Sequence, residues 1–198
     1  MTRHIEALSG LLTSFEGSAG DMVDWGVIES AYGTVFPLDY KEFVQRFGHG
    51  TIEGGIATLI PVVTSDPMVR RVAPLPDLVR ADPNFNRWAE RGQVYSLDQI
   101  PVWGGGGGGE THSADVLGWV ATGADPHAWP LAVWARGDAA WAVHDCGMVE
   151  FLIKLLAGDF PEWPISDTSL MGIQNARFLH DRQEERLAEE GIYPWDED

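Results

Sequence analysis

Apolar positions along this chain switch between a helical and a strand period, and the switches mark out its elements. From His4 to Phe15, the residues Ile5, Leu8, Leu11, Leu12 and Phe15 recur at helical spacing and predict an opening amphipathic helix. A Gly/Ser-rich linker, Glu16 to Asp21, follows it. Asp24 to Gly50 then carries two short helical stripes almost back to back. Trp25, Ile28 and Tyr32 form the first, with Asp24 placed to accept from the exposed first-turn amides and Gly33 placed to end the helix. Tyr40, Phe43, Val44 and Phe47 form the second. Pro37 suits its first position, Asp39 favours the positive end of its macrodipole, and Gly48 stops it.

After Gly50 the helical period is lost. Thr51 to Val63 is rich in Ile, Thr, Leu and Val, and reads as a strand leaving the second helix through a Gly-x-Gly turn. Prolines at 67, 74, 76 and 83 break up the next stretch, where Leu75 to Trp88 predicts a short or broken helix. Val94 to Val102 has room for another strand, and the unbroken glycine run Gly104 to Gly109 is expected to be a flexible loop. Val116 to Ala121, Trp129 to Ala135 and Ala139 to Asp145 are three strands separated by turns, hence an antiparallel meander with apolar residues on both faces. Met148, Phe151, Leu152, Leu155 and Leu156 predict a helix that ends at Gly158 and caps one sheet face. Beyond Pro161 and Pro164 the stretch from Ser169 to Glu190 is helix-compatible. The expected fold is α+β: a single domain with a twisted, mainly antiparallel sheet and packed helices.

Within Asp24 to Gly50, Trp25 and Glu29 stand four residues apart, followed by Phe36-Pro37, the run Asp39-Tyr40-Lys41-Glu42-Phe43, and Gly48-x-Gly50. Their order and spacing resemble the signature of the SUKH superfamily, which includes the Smi/Knr-type cell-wall-synthesis regulators and many bacterial immunity proteins. A second block is similar to the C-terminal half of SUKH proteins, especially the actinobacterial type. It comprises Pro101-Val102-Trp103, a Gly-rich turn, a Trp-containing strand, Trp129-Pro130-x-x-Val133-Trp134 and Gly147-Met148-x-Glu150-Phe151-Leu152. The resemblance covers roughly residues 24 to 158. It departs at one point: members usually carry Gly-Asp just before the strand at Val116, whereas this chain has Gly109-Glu110 and then Thr111 to Asp115. The loop geometry there does not carry over. The resemblance implies a SUKH-like domain over residues 1–160, with residues 161–198 as a C-terminal extension of acidic helix and tail. It also implies a non-enzymatic protein-binding function, chiefly that of an immunity protein that neutralises a cognate toxin, commonly a nuclease. A regulatory scaffold of the cell-wall-regulator type is the alternative.

Charge sharpens the choice of partner. The chain has 198 residues, 44% of them hydrophobic, which suffices for one substantial core, and a formal charge of −17. That charge disfavours a phosphate backbone and an anionic membrane surface, and favours a basic protein such as a toxin domain. Eight carboxylates stand against two arginines between Asp181 and Asp198. The candidate partner-binding residues are Glu110, Asp115 and Asp125 on exposed loops, and Glu184, Glu185 and Glu189 in the acidic tail. The N-terminal apolar run is too short for a secretory signal and no segment approaches a membrane span, so a cytoplasmic monomer is expected. A single cysteine, Cys146, excludes an intrachain disulfide and agrees with a reducing compartment.

Candidate chemistry adds little. His144-Asp145-Cys146 brings an imidazole, a carboxylate and a thiol together, but strand alternation sends Asp145 to the opposite face, and Cys146 is expected to behave as a small buried hydrophobe. The glycine run lacks the Lys-Ser/Thr ending of a phosphate loop, and Glu110 would repel phosphate. Histidines at 4, 49, 112, 127, 144 and 180 show no metal-ligand spacing. No catalytic residue, metal or cofactor is expected. A small-ligand site or an enzyme with a pocket lined by some of the nine tryptophans is a third possibility.

Overall fold

The computed structural model describes residues 2–14, 20–66, 68–89, 94–106 and 115–195. In chain order the elements are α1 (Arg3–Leu11), β1 (Leu12–Ser14), α2 (Trp25–Tyr32), α3 (Leu38–Arg46), β2 (Gly50–Ile52), β3 (Ile56–Thr58), β4 (Ala73–Pro74), α4 (Asp77–Ala81), β5 (Pro101–Gly106), β6 (Val116–Trp119), β7 (Leu131–Ala135), β8 (Ala140–His144), α5 (Met148–Ala157), β9 (Ala176–His180) and α6 (Asp181–Glu189). One sheet runs in the order β1-β9-β2-β3-β5-β6-β7-β8, with β4 beside the first residues of β5. Among the described strands β1 and β9 are the one parallel pair, beside an isolated parallel bridge between Trp88 and Trp141. The chain is therefore a single α+β domain on a mixed, mostly antiparallel sheet.

The helices form for the reasons their stripes suggest. Asp24 accepts from the Val27 N–H at 3.1 Å, and Gly33 closes α2 in the left-handed conformation. Asp39 serves two helices: one carboxylate oxygen accepts from the Tyr40 N–H at 2.9 Å and the other from the Val149 N–H of α5 at 3.1 Å. It supplies α5 with the cap that Gly147 cannot. Tyr40 donates to the Leu59 carbonyl at 2.6 Å, fixing α3 to the strand below. Helices α1, α3 and α5 pack together over one sheet face. Between α2, α3 and the sheet, Trp25, Phe36, Tyr40, Trp119 and Trp103 form a continuous aromatic chain with centroid spacings from 4.9 to 6.2 Å.

Both faces of the meander are covered. Leu131 and Val133 of β7 point into the helical core, and the alternate residues Ala132 and Trp134 point into a second core with Leu75, Leu97, Ile100 and Trp141. The segment between β4 and β5 builds that second layer. Phe85 stacks on Trp134 at 4.5 Å, and Trp88 on Trp141 at 5.9 Å.

Five stretches differ from the sequence pattern. Leu12–Ser14 is the edge strand β1 rather than the end of α1. Thr51 to Val63 is a hairpin, not one strand: Glu53 and Gly54 are both left-handed (φ 47° and 66°) and turn β2 into β3. Within Val94 to Val102, Leu97–Gln99 is a short 3₁₀ turn and only Pro101 and Val102 are strand, the first residues of β5. The first half of the glycine run, Gly104–Gly106, is sheet and not flexible loop. It pairs with β3 on one side, and Gly104 and Gly105 pair with β6 on the other; a side chain at Gly104 would come within 2.8 Å of the Ala57 carbonyl. Gly107 to Gly109 lie outside the described residues. Ser169 to Glu190 divides into β9 and α6, and β9 inserts between β1 and β2. The chain beyond residue 160 is thus woven into the sheet rather than appended to it.

Candidate functional site

The residues singled out as partner contacts occupy four different environments. Asp115 is inside the protein at 4% exposure. Its carboxylate accepts from the backbone N–H of Arg136 at 2.8 Å and from the backbone N–H and hydroxyl of Ser166. This corrects the expectation of a loop contact: Asp115 clamps the start of β6 to the β7–β8 turn and to the 160s segment. Glu184 is likewise engaged, accepting from the Thr51 hydroxyl at 3.3 Å and from the Trp195 indole N–H at 3.1 Å. Asp125 is exposed, accepts from the His127 N–H at 3.0 Å, and lies beside the start of α3, whose Leu38 N–H donates to His127 Nδ1. Glu185 and Glu189 are exposed and one helical turn apart on α6. Glu110 lies outside the described residues. The structure brings together only Glu185 and Glu189, with Glu190 exposed beside them.

These three carboxylates sit where helix physics disfavours them. Like charges four residues apart repel, and the C-terminal end of a helix carries the negative pole of its macrodipole. Arg182 and Arg186, three residues before Glu185 and Glu189 on α6, offset part of that repulsion.

The densest polar cluster among the described residues was not visible in the sequence. It lies where α6 meets the turn after α3. Asp21 accepts from the His49 backbone N–H at 2.8 Å and from Arg182 Nη1 at 2.7 Å, and faces His180 Nε2 at 3.1 Å. His180 Nδ1 accepts from the Arg182 N–H at 3.1 Å, capping α6, so Nε2 carries the hydrogen and donates to Asp21. Burial opposes the charge on Asp21, but the hydrogen bonds from His180, His49 and Arg182 outweigh it and hold the carboxyl well below the usual carboxylate range. Burial pushes His49 down, against the nearby Asp181. This His–Asp pair is closed to a substrate: His180 is 2% exposed, and even a Cβ on Gly48 would come within 2.8 Å of its Nε2. Both ring nitrogens are already committed. The cluster latches α6 to the domain.

His144 and Cys146 are not a nucleophilic pair. The His144 ring packs against Phe151 and Phe160, each at 5.4 Å, and burial lowers its pKa. Burial also raises the Cys146 thiol to about 11, with Lys154 opposing, so at neutral pH it is a protonated and poor nucleophile. Asp145 is exposed.

Two concavities among the described residues bear on binding. One, of about 350 Å³, is lined in part by Arg80, Asn86, Tyr95 and Asp98, and its arginine is paired with Asp77 and Asp98. The other, of about 260 Å³, runs between the end of α2 and the chain at 62–64 and 71–74. No group of three or more His, Cys, Asp or Glu among the described residues could hold a metal ion, and no helix among them is long and apolar enough to cross a membrane. No protein-family model, curated protein or solved structure matches the chain.

Proposed function

We propose that this chain is a non-enzymatic, SUKH-type protein-binding domain that acts inside the cell as an immunity protein, neutralising a basic toxin domain. The observation that carries this reading is the exposed acidic face of α6. Glu185 and Glu189 repel one another across one turn, Glu189 and Glu190 lie at the negative end of the helix, and a cationic partner would relieve both effects beyond what Arg182 and Arg186 do. With a net charge of −17, the long-range field would steer a basic nuclease onto this face in place of nucleic acid. The engagement of His180, Asp21 and Asp115 in internal contacts, and the protonated Cys146, also suit a binding module better than an enzyme.

The test begins with the reading frame directly upstream. Its C-terminal domain should kill cells that lack this chain, spare cells that make it, and co-purify with it. The association rate should fall steeply as salt is raised, and the double variant Glu185→Lys/Glu189→Lys should lose protection while folding normally. A salt-insensitive association, or undiminished protection by that variant, would reject the acidic-face mechanism. A regulatory scaffold is the second reading. It is favoured by one observation: Arg71, which lines the groove beside α2, has no carboxylate partner among the described residues.

A further inference from the structure

We propose that the groove between α2 and residues 62–74 is a second docking surface, which takes a short apolar segment bearing carboxylates from a partner protein. This goes beyond the acidic-face reading and does not depend on it.

The groove is apolar and preformed. Ala31, Val62, Val63, Val72 and Pro74 line it, and Val63 is 59% exposed. Val27, one helical turn before Ala31 on α2, is also 59% exposed and extends the apolar surface along the helix. The Tyr32 hydroxyl accepts from the Val62 N–H at 3.1 Å and donates to the Val72 carbonyl at 3.0 Å. It thereby fixes both sides of the loop to α2, so that little ordering remains to be done on binding. At about 260 Å³ the groove is smaller than pockets that enclose a whole drug-sized ligand, and suits side chains projecting from a bound segment.

The charge beside it changes sign. Arg70-Arg71 is the one place in the sequence where two lysines or arginines are adjacent. Arg71 lines the groove, and its Nη1 donates to the carbonyls of Asp66 and Val69, each at 3.1 Å. These bonds orient the guanidinium without neutralising it. Lys41, Arg80, Lys154, Arg177 and Arg182 each pair with a carboxylate of this chain, whereas among the described residues Arg3, Arg46, Arg87 and Arg136 do not; Arg71 differs from these in lining an apolar groove. Among the described residues Arg71 has no such partner, while its neighbour Arg70 is exposed and faces His49 instead of the groove. A guanidinium matches a carboxylate through two parallel hydrogen bonds, and Arg71 beside an apolar channel selects an acidic segment over a basic one. An anionic bilayer would also meet the remaining surface of a chain carrying −17, which repels it.

Panning short random linear peptides, displayed on phage, against the intact protein tests this directly. Enriched sequences should combine bulky apolar residues with Asp or Glu. As free labelled peptides read by fluorescence polarisation, they should bind about tenfold or more weakly to Val63→Asp and to Arg71→Glu. Arg70→Glu, outside the groove lining, should weaken them far less, and Glu185→Lys/Glu189→Lys should not weaken them. Circular dichroism establishes that each variant is folded. The absence of enrichment, enrichment of basic peptides, undiminished binding by Val63→Asp and Arg71→Glu, or preferential binding of phosphatidylserine vesicles would each overturn the proposal. Because the two surfaces carry separate variants, loss of toxin protection and loss of peptide binding are distinguished.

Discussion

Asp115 and Glu185 are both acidic residues, yet they should answer mutation in opposite ways. Asp115→Ala removes one acceptor from three donors, leaving the Arg136 and Ser166 amides without a partner in a buried site, and should cost about 3 kcal/mol in urea unfolding. Affinity per folded molecule should not change. Glu185→Lys should leave the unfolding midpoint near that of the wild type and weaken the partner. Phe43→Ala belongs with Asp115: its ring is fully buried against Phe47 and Phe178, and its loss should cost about 3–5 kcal/mol. A stable Phe43→Ala protein that had lost only partner binding would make that residue a contact and not part of the core. The stripe at Tyr40, Phe43 and Val44 made the core residue legible because its neighbours in sequence define its face. Asp115 was not legible, because acids are mostly exposed and its donors lie far away in the chain, at positions 136 and 166.

The same distinction holds for whole elements. Helices α2, α3 and α5 could be read from the sequence, since cap, stripe and stop lie within a dozen residues. The hairpin β2–β3, the glycine strand in β5 and the insertion of β9 could not. A three-residue strand has no period to detect, and Gly104 is a strand residue only because the Ala57 backbone leaves no room for a side chain. The α6 latch is of this nonlocal kind, joining Asp21, His49 and His180, and it makes acid the natural probe of α6 docking. The burial-lowered His49 prefers to be neutral in the fold, so protonating it costs stability as pH falls below its ordinary 6.5. Asp21, held well below its ordinary 3.8, stabilises the fold above that value and loses the contribution as pH falls through it and lower. Arg70, Asp181 and Arg182 face the same cluster and add their charges to its field. Hydrogen exchange of the α6 amides should therefore accelerate, relative to the intrinsic rate, in two stages as pH is lowered from neutrality. His49→Gln should remove the upper stage and Asp21→Asn the lower. Protection of α6 that stays flat from neutral pH to about pH 4 would show that the cluster does not hold the helix.

At the scale of the molecule, the decisive fact is where the chain after residue 160 goes. As an extension it would be dispensable, and residues 1–160 would fold alone. In the sheet, however, β9 pairs with β1 on one side and β2 on the other, and β1 has no other partner in the strand order. Removing it orphans β1 and bares the edge of β2. It also takes Ile165, Leu170, Ala176 and Phe178 from the main core. Phe178 alone touches both Phe43 and Phe47, so α3 loses the surface on which it rests. Several such losses together exceed the roughly 5–15 kcal/mol by which a domain of this size is ordinarily stable. Residues 1–160 should give a collapsed NMR spectrum without a cooperative thermal transition, and adding residues 161–198 as a separate peptide should restore dispersion in proportion to its concentration. Cutting instead after Glu190 removes, among the described residues, the Trp195 contacts with Arg177, Glu184 and Gly54, the Arg177–Pro194 hydrogen bond and the Gly191 and Ile192 amides that close the end of α6, and should leave a cooperative fold that still carries Glu185 and Glu189. A well-dispersed spectrum from residues 1–160 would mean that β9 is an accessory strand, and the acidic helix behind it a detachable arm.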